Sequence, residues 1–166
     1  LCVHACEATP GVAPHERASR PPAIVEAPDG RDRPGSESAT DSVRGRDLRE
    51  DERRGGHTIE RHVGKSDEDL RARLKREPRI AAASTYTDLA VAERVVAEAL
   101  REAAGQVERW TARTGRRPNL ALDYDGAPGT IVGRSLRRGR PTAERCTDAV
   151  VVLSWDERRD DYYVLA

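Results

Sequence analysis

From residue 87 onward the apolar positions fall into two rhythms. Leu89, Ala92, Val96, Ala99, Leu100 and Ala103 line one face of a helix that starts at Thr87 or Asp88, and Glu93, Arg94, Glu98, Arg101 and Glu102 take the other face. Gly105 weakens the join to a further helical piece over residues 107–113, anchored by Trp110. After Pro118 the period drops to two: Leu120, Leu122 and Tyr124 alternate, Asp125-Gly126 marks a turn, and residues 130–136 resume extended structure. A basic loop, 137–145, leads to a strand over 149–155, where the run Val150-Val151-Val152-Leu153 suits a central position. The polar segment 156–161 then returns the chain into a last strand, 162–166, which stops in mid-pattern and is expected to be cut short.

Ahead of these elements, residues 57–63 read as a short helix closed by Gly64, with Ile59 and Val63 one turn apart on its buried side. Ser66 and Asp69 have the spacing of a capping box, which opens a helix through Leu70 and Leu74 that stops before Pro78. Helices first and antiparallel strands afterwards predict an α+β fold, with N-terminal helices packed on an antiparallel sheet.

The first 54 residues hold six of the ten prolines, no aromatic residue and few branched apolar ones. Such a segment buries too little apolar area to offset its ordering entropy. Residues 1–54 are therefore expected to be a disordered linker or the remnant of a longer protein, and 55–166 the folding domain. A chain beginning Leu1-Cys2 likewise reads as a piece of a longer polypeptide or one with an unusual start. No apolar run approaches the roughly 18–20 residues that span a bilayer, and no signal-peptide pattern opens the chain.

Charge is balanced, with 29 basic and 29 acidic residues. A neutral total neither supports nor excludes a polyanionic partner; local clustering decides that. Basic residues do cluster, at Arg113/Arg116/Arg117 and at Arg134/Arg137/Arg138/Arg140/Arg145, which a solvated surface would also explain. Three cysteines give no disulfide framework. Cys2, His4, Cys6 and His15 match no established zinc spacing, so no metal is expected, and Cys146 reads as a small residue at the start of a strand.

The densest candidate chemistry lies between Gly55 and Leu74: two histidines, a lysine and several arginines in twenty residues. Cleavage of RNA without a metal needs a base for the 2′-hydroxyl proton, a donor for the leaving 5′-oxygen and cations for the phosphorane. Histidine suits the first two because it titrates near neutrality, and arginine or lysine suits the third. His57 and His62 are five residues apart, so on one helix they point about 140° away from each other. They could share a phosphate only if the helix begins after His57. Arg73 could come beside His62 if the chain breaks at Gly64 and folds back. Capping or surface roles remain the alternative for both histidines.

The order Gly55-Gly56-His57-Thr58-Ile59-x-x-His62-Val63-Gly64-Lys65-Ser66, followed by Leu70-x-x-Arg73-Leu74, resembles the bacterial RNase A-like toxin domain found at the C-termini of contact-dependent growth inhibition proteins and other polymorphic toxins. Ala83 to Asp88, then Ala92-Glu93, Leu122–Tyr124, Gly133-Arg134 with Leu136 to Gly139, and Val150–Leu153 are similar to the landmarks that follow. The resemblance covers about residues 55–166. It implies an RNase A-like, kidney-shaped fold without disulfides and a ribonuclease, acting in some members on tRNA. It further implies no cofactor, attachment to a larger delivery polypeptide, delivery into the cytoplasm of a target bacterium, and a cognate immunity protein as partner. Carried over by position, it makes His62 and Arg73 catalytic, with His57 the second acid/base candidate; Lys65 and Arg61 are the substrate-binding candidates.

One departure bears on activity. The family's last strand ends in a Thr-x-Tyr-Pro-like segment, whereas this chain reads Tyr162-Tyr163-Val164-Leu165-Ala166. Ala166 falls about where the threonine would be, and the tyrosine has no counterpart. A truncated, inactive form that only binds RNA or an immunity protein is the alternative this raises. An unrelated α+β interaction domain is the third.

Overall fold

The computed structural model describes residues 46–166. Its first element, helix α1 (Leu48–Arg53), begins inside the segment expected to lack structure. Asp47 caps it, accepting from the Arg49 and Glu50 N–H groups, and Leu48 is fully buried. Asp51 is buried as well. It accepts two hydrogen bonds from the Arg46 guanidinium, at 2.8 and 2.6 Å, and one from the Val164 N–H at 3.0 Å. The folded part therefore starts upstream of Gly55. Composition missed this because one leucine and one ion pair hold the helix, not an apolar face. Residues 1–45, including Cys2, His4, Cys6 and His15, lie outside the described residues.

Helix α2 (Thr58–His62) is followed by α3 (Asp67–Arg76), and the capping box expected at Ser66 and Asp69 is formed in both directions. Strand β1 (Ala82–Tyr86) comes next, then α4 (Leu89–Glu102), capped by Asp88, and α5 (Ala104–Thr111). The remaining strands are β2 (Leu120–Tyr124), β3 (Gly133–Arg137), β4 (Glu144–Cys146), β5 (Ala149–Asp156) and β6 (Asp161–Val164). Strands β1 and β4 are additions to the expected set. Cys146 ends β4 instead of opening the long strand.

The α+β class holds, with the strands divided between two antiparallel sheets, β1-β3-β4 and β2-β5-β6. Helix α4 presents Ala92, Val95, Val96 and Ala99 to the larger core, where they meet Leu122, Tyr124, Val151, Leu153 and Val164. Burying the valine and leucine side chains among these stabilises by roughly 1.5–3 kcal/mol each. Trp110 closes this core from α5. Its indole N–H donates to the Pro118 carbonyl at 2.8 Å, and its ring meets Trp155 and Tyr162 edge-on. A second, smaller cluster lies under α3, where Leu70 and Leu74 meet Ala83 and Leu136. Among the described residues no helix is long and apolar enough to cross a membrane.

Candidate active site

The site is assembled where the turn between α2 and α3 lies along the free edge of β1. Helix α2 begins at Thr58, which leaves His57 at the N-cap with φ −148° and ψ 23°. The two histidines therefore do not share a helix, and the wheel argument that separates them lapses. Their ring centroids stand 6.1 Å apart. Val63 forms a parallel bridge with Tyr86, and Gly64, at φ +63°, turns the chain while its N–H donates to the Tyr86 carbonyl at 3.1 Å. Thr85 completes the seam. Its Oγ1 accepts from the Lys65 N–H at 2.9 Å and also lies 3.4 Å from the His62 carbonyl.

This fold-back carries Arg73 over His62. Arg73 Nη1 is 3.3 Å from His62 Nε2 and 3.4 Å from Nδ1. A position equidistant from both nitrogens lies over the ring face, because Cε1 occupies the corresponding space in the ring plane. Nδ1 lies 3.3 Å from the Ser84 carbonyl, which can only accept, so the Nδ1–H tautomer fits and leaves the lone pair on Nε2. Arg73 is held further by the Arg61 carbonyl at 3.4 Å and by Glu77, whose Oε1 is 3.3 Å from Nε. That second contact has ion-pair distance without hydrogen-bond alignment, so Nε is a buried donor still open to an acceptor.

The electrostatics follow from this packing. His62 is 4% exposed, and burial, then the charge of Arg73, pushes its pKa down to about 3. His57 is half-buried; burial, then Arg61 and Arg73, lowers its pKa also. Both imidazoles are thus set to be neutral in the empty site. An anion docking against Arg73 would offset the cation and raise them again.

In front of Arg73 lies a cleft of about 320 Å³, lined by Arg61, Lys65, Arg73 and Arg76 together with Glu60, Asp69, Leu70 and Glu77. Arg61 and Lys65 stand on its wall, while His62 sits behind Arg73 and outside the lining. The structure brings His57, His62 and Arg73 together and places Arg61 and Lys65 alongside. Sequence reasoning passed over Ser84 and Thr85, which orient His62 and the turn, and Glu77, which steadies Arg73. The place of Ser84 and Thr85 in the segment Ala83 to Asp88, which is similar to a landmark of the family, was the available signal. Among the described residues no group of three or more His, Cys, Asp or Glu side chains is placed to hold a metal ion.

The other wall of His57 is the end of β6. The His57 N–H donates to the Leu165 carbonyl at 2.9 Å, and the Gly56 N–H to the Asp51 carbonyl at 2.9 Å. A Cβ on Gly56 would lie 2.4 Å from the Val164 carbonyl oxygen, so only glycine permits this approach. Residues 164–166 thus run beside His57.

Comparison with known proteins agrees with the geometry. No curated protein matches the chain. A solved structure of the CdiA-CT/CdiI complex from Y. kristensenii 33638 is similar at 26% identity and a TM-score of 0.57, covering 66% of this chain and 94% of the other. The family model described as the bacterial CdiA-CT RNAse A domain matches residues 56–166, a span that contains both histidines, Arg73 and the cleft. The chain belongs to that family of bacterial CdiA-CT RNAse A domains.

Proposed function

We propose that this domain is a toxin ribonuclease that cleaves RNA by metal-independent transphosphorylation, with tRNA the substrate to test first. The observation that carries the proposal is the convergence of His57, His62 and Arg73, with a guanidinium 3.3 Å from His62 Nε2 in front of a basic cleft. Arg73 receives the scissile phosphate, and Lys65 and Arg61 hold the strand. Nε2 of His62 accepts the 2′-hydroxyl proton as the 2′-oxygen bonds to phosphorus. The bond from phosphorus to the 5′-oxygen breaks, and His57, protonated in the complex, delivers a proton to that oxygen. The products are a 2′,3′-cyclic phosphate and a 5′-hydroxyl.

Docked phosphate lies against Arg73, the cation that lowers both histidines, so binding moves their pKa values toward neutrality. The free-enzyme profile, read from kcat/KM, should therefore be centred below the ordinary histidine range, and kcat should peak at higher pH.

By analogy with the solved complex, we infer that an immunity protein binds and neutralises this domain. A larger polypeptide would deliver it into the cytoplasm of a neighbouring bacterium. A second reading, a form that binds without cutting, is favoured by one observation. Leu165, whose carbonyl holds the His57 N–H, is followed by Ala166, which offers no hydroxyl to a phosphate. Incubation with RNA in the presence of EDTA separates the two. Cleavage with cyclic-phosphate ends supports the ribonuclease, and RNA binding without cleavage supports the second reading.

A further inference from the structure

The basic residues on and between β3 and β4 do not act alike. Arg138 is structural: its guanidinium donates to the carbonyls of Leu74, Glu77 and Ile80 at 2.7, 3.0 and 3.1 Å and closes the end of α3. Arg134 is anchored at the rim of the cleft, donating to the Lys65 carbonyl at 2.7 Å and lying 3.2 Å from Asp67. Arg145 is exposed and makes no hydrogen bond or ion pair with a described residue.

Register makes this arrangement informative. Thr85, Arg134 and Arg145 are successive Cα partners across β1, β3 and β4, so their side chains share one face. Thr85 on that face already holds Lys65, which lines the cleft. Two arginines directly opposite one another repel, and such a pair is destabilising unless something neutralises it. The neighbouring carboxylate, Asp67, is taken up by Arg134. Arg145 therefore faces a like charge with no anion supplied by the described residues. From Lys65 at the cleft the cations Arg134 and Arg145 follow in a row, those two on neighbouring strands.

We propose that Arg145 and Arg134 together hold a second backbone phosphate of the RNA strand whose scissile phosphate sits at Arg73. The site rests on the ribonuclease reading and extends it, since it sets how much single strand the domain grips. An acidic protein surface could also answer two arginines, but the row is continuous with the cleft, which favours the strand.

The test is binding of a non-cleavable 2′-deoxy oligonucleotide of about eight residues, followed by fluorescence anisotropy over a salt series. Each phosphate contact on a single strand contributes about 0.7 to the slope of log K against log salt. Arg145→Gln is expected to weaken binding about three- to tenfold at low salt and to reduce the slope by about 0.7. Arg145→Lys keeps the charge and should keep most of the slope, while Arg101→Gln, on the exposed face of α4, should match wild type. The thermal midpoint of Arg145→Gln without nucleic acid should not fall, because a repulsion has been removed. A wild-type slope for Arg145→Gln overturns the proposal. So does a variant that keeps the slope but loses affinity for an immunity protein, which would assign the pair to that partner. Cleavage of the matching ribo-oligonucleotide by the wild-type domain checks the ribonuclease reading separately.

Discussion

Around α4, fifteen buried residues from three helices, both sheets and a loop form one core, whereas under α3 only four make up the cluster, and the site stands over that smaller one. The larger region is held by apolar area. The smaller is held by directed bonds: Thr85 to Lys65, Ser84 to His62 and Arg138 to the end of α3; at its border with the larger, Asp51 binds the Val164 N–H that steadies the strand beside His57. Directed bonds hold positions more narrowly than apolar contact does, which suits a place where imidazoles and a guanidinium must meet within a few tenths of an ångström. The cost is that single side chains matter more there.

Substitutions can break this contrast. Asp51→Ala should have the largest effect on folding, about 3 kcal/mol, because it leaves the half-buried Arg46 cation and the buried Val164 N–H without their acceptor. Chemical denaturation of the whole chain measures it, and a cost below about 1 kcal/mol would return α1 to the status of an appendage. Arg73→Ala should lower kcat about 10²–10³-fold, equivalent to about 2.7–4 kcal/mol of transition-state stabilisation, with little loss of thermal stability. If the thermal midpoint collapses instead, Arg73 is a structural tie.

Arg138→Ala should cost about 1.5–3 kcal/mol by leaving the last carbonyls of α3 without their charged donor. It should also raise hydrogen exchange in α3 more than in α4, and equal increases in both helices would erase the contrast between the two regions. A further effect concerns pH. His62 has a folded pKa of about 3, below its unfolded value, so the stability it contributes is complete above about pH 6.5. It is lost as pH falls from there toward 3, at up to about 1.4 kcal/mol per pH unit. His62→Gln should flatten that part of the stability curve, and an unchanged slope would mean that His62 is not buried as a neutral imidazole.

The same contrast explains what the sequence could disclose. Helix α4 and strands β2 and β5 are legible because apolar periodicity is what packs them, and the cap at Ser66 is legible because its chemistry is local. Strand β1 is not, since Ala82, Ala83 and Ser84 are small and carry little strand propensity, leaving too short a signal in Thr85 and Tyr86; long-range pairing with β3 makes them a strand. Strand β4 is three residues long and sits in what reads as a basic loop. Helix α1 is hidden because a buried ion pair has the composition of a linker. In the site, residue types and order pointed to His57, His62, Arg73, Lys65 and Arg61, but not to their geometry. The starting point of α2 decides whether the histidines meet, and a one-residue boundary lies beyond what periodicity resolves.

The central claim is that His62, behind Arg73, removes the proton from the 2′-hydroxyl. Its most direct test is kcat/KM for wild type and His62→Ala on a defined RNA in the presence of EDTA, with the product ends identified. The account predicts cleavage by wild type to 2′,3′-cyclic phosphate ends and a loss of about 10²–10⁴-fold in a variant that remains folded. Cleavage that survives His62→Ala and stops with EDTA would contradict it.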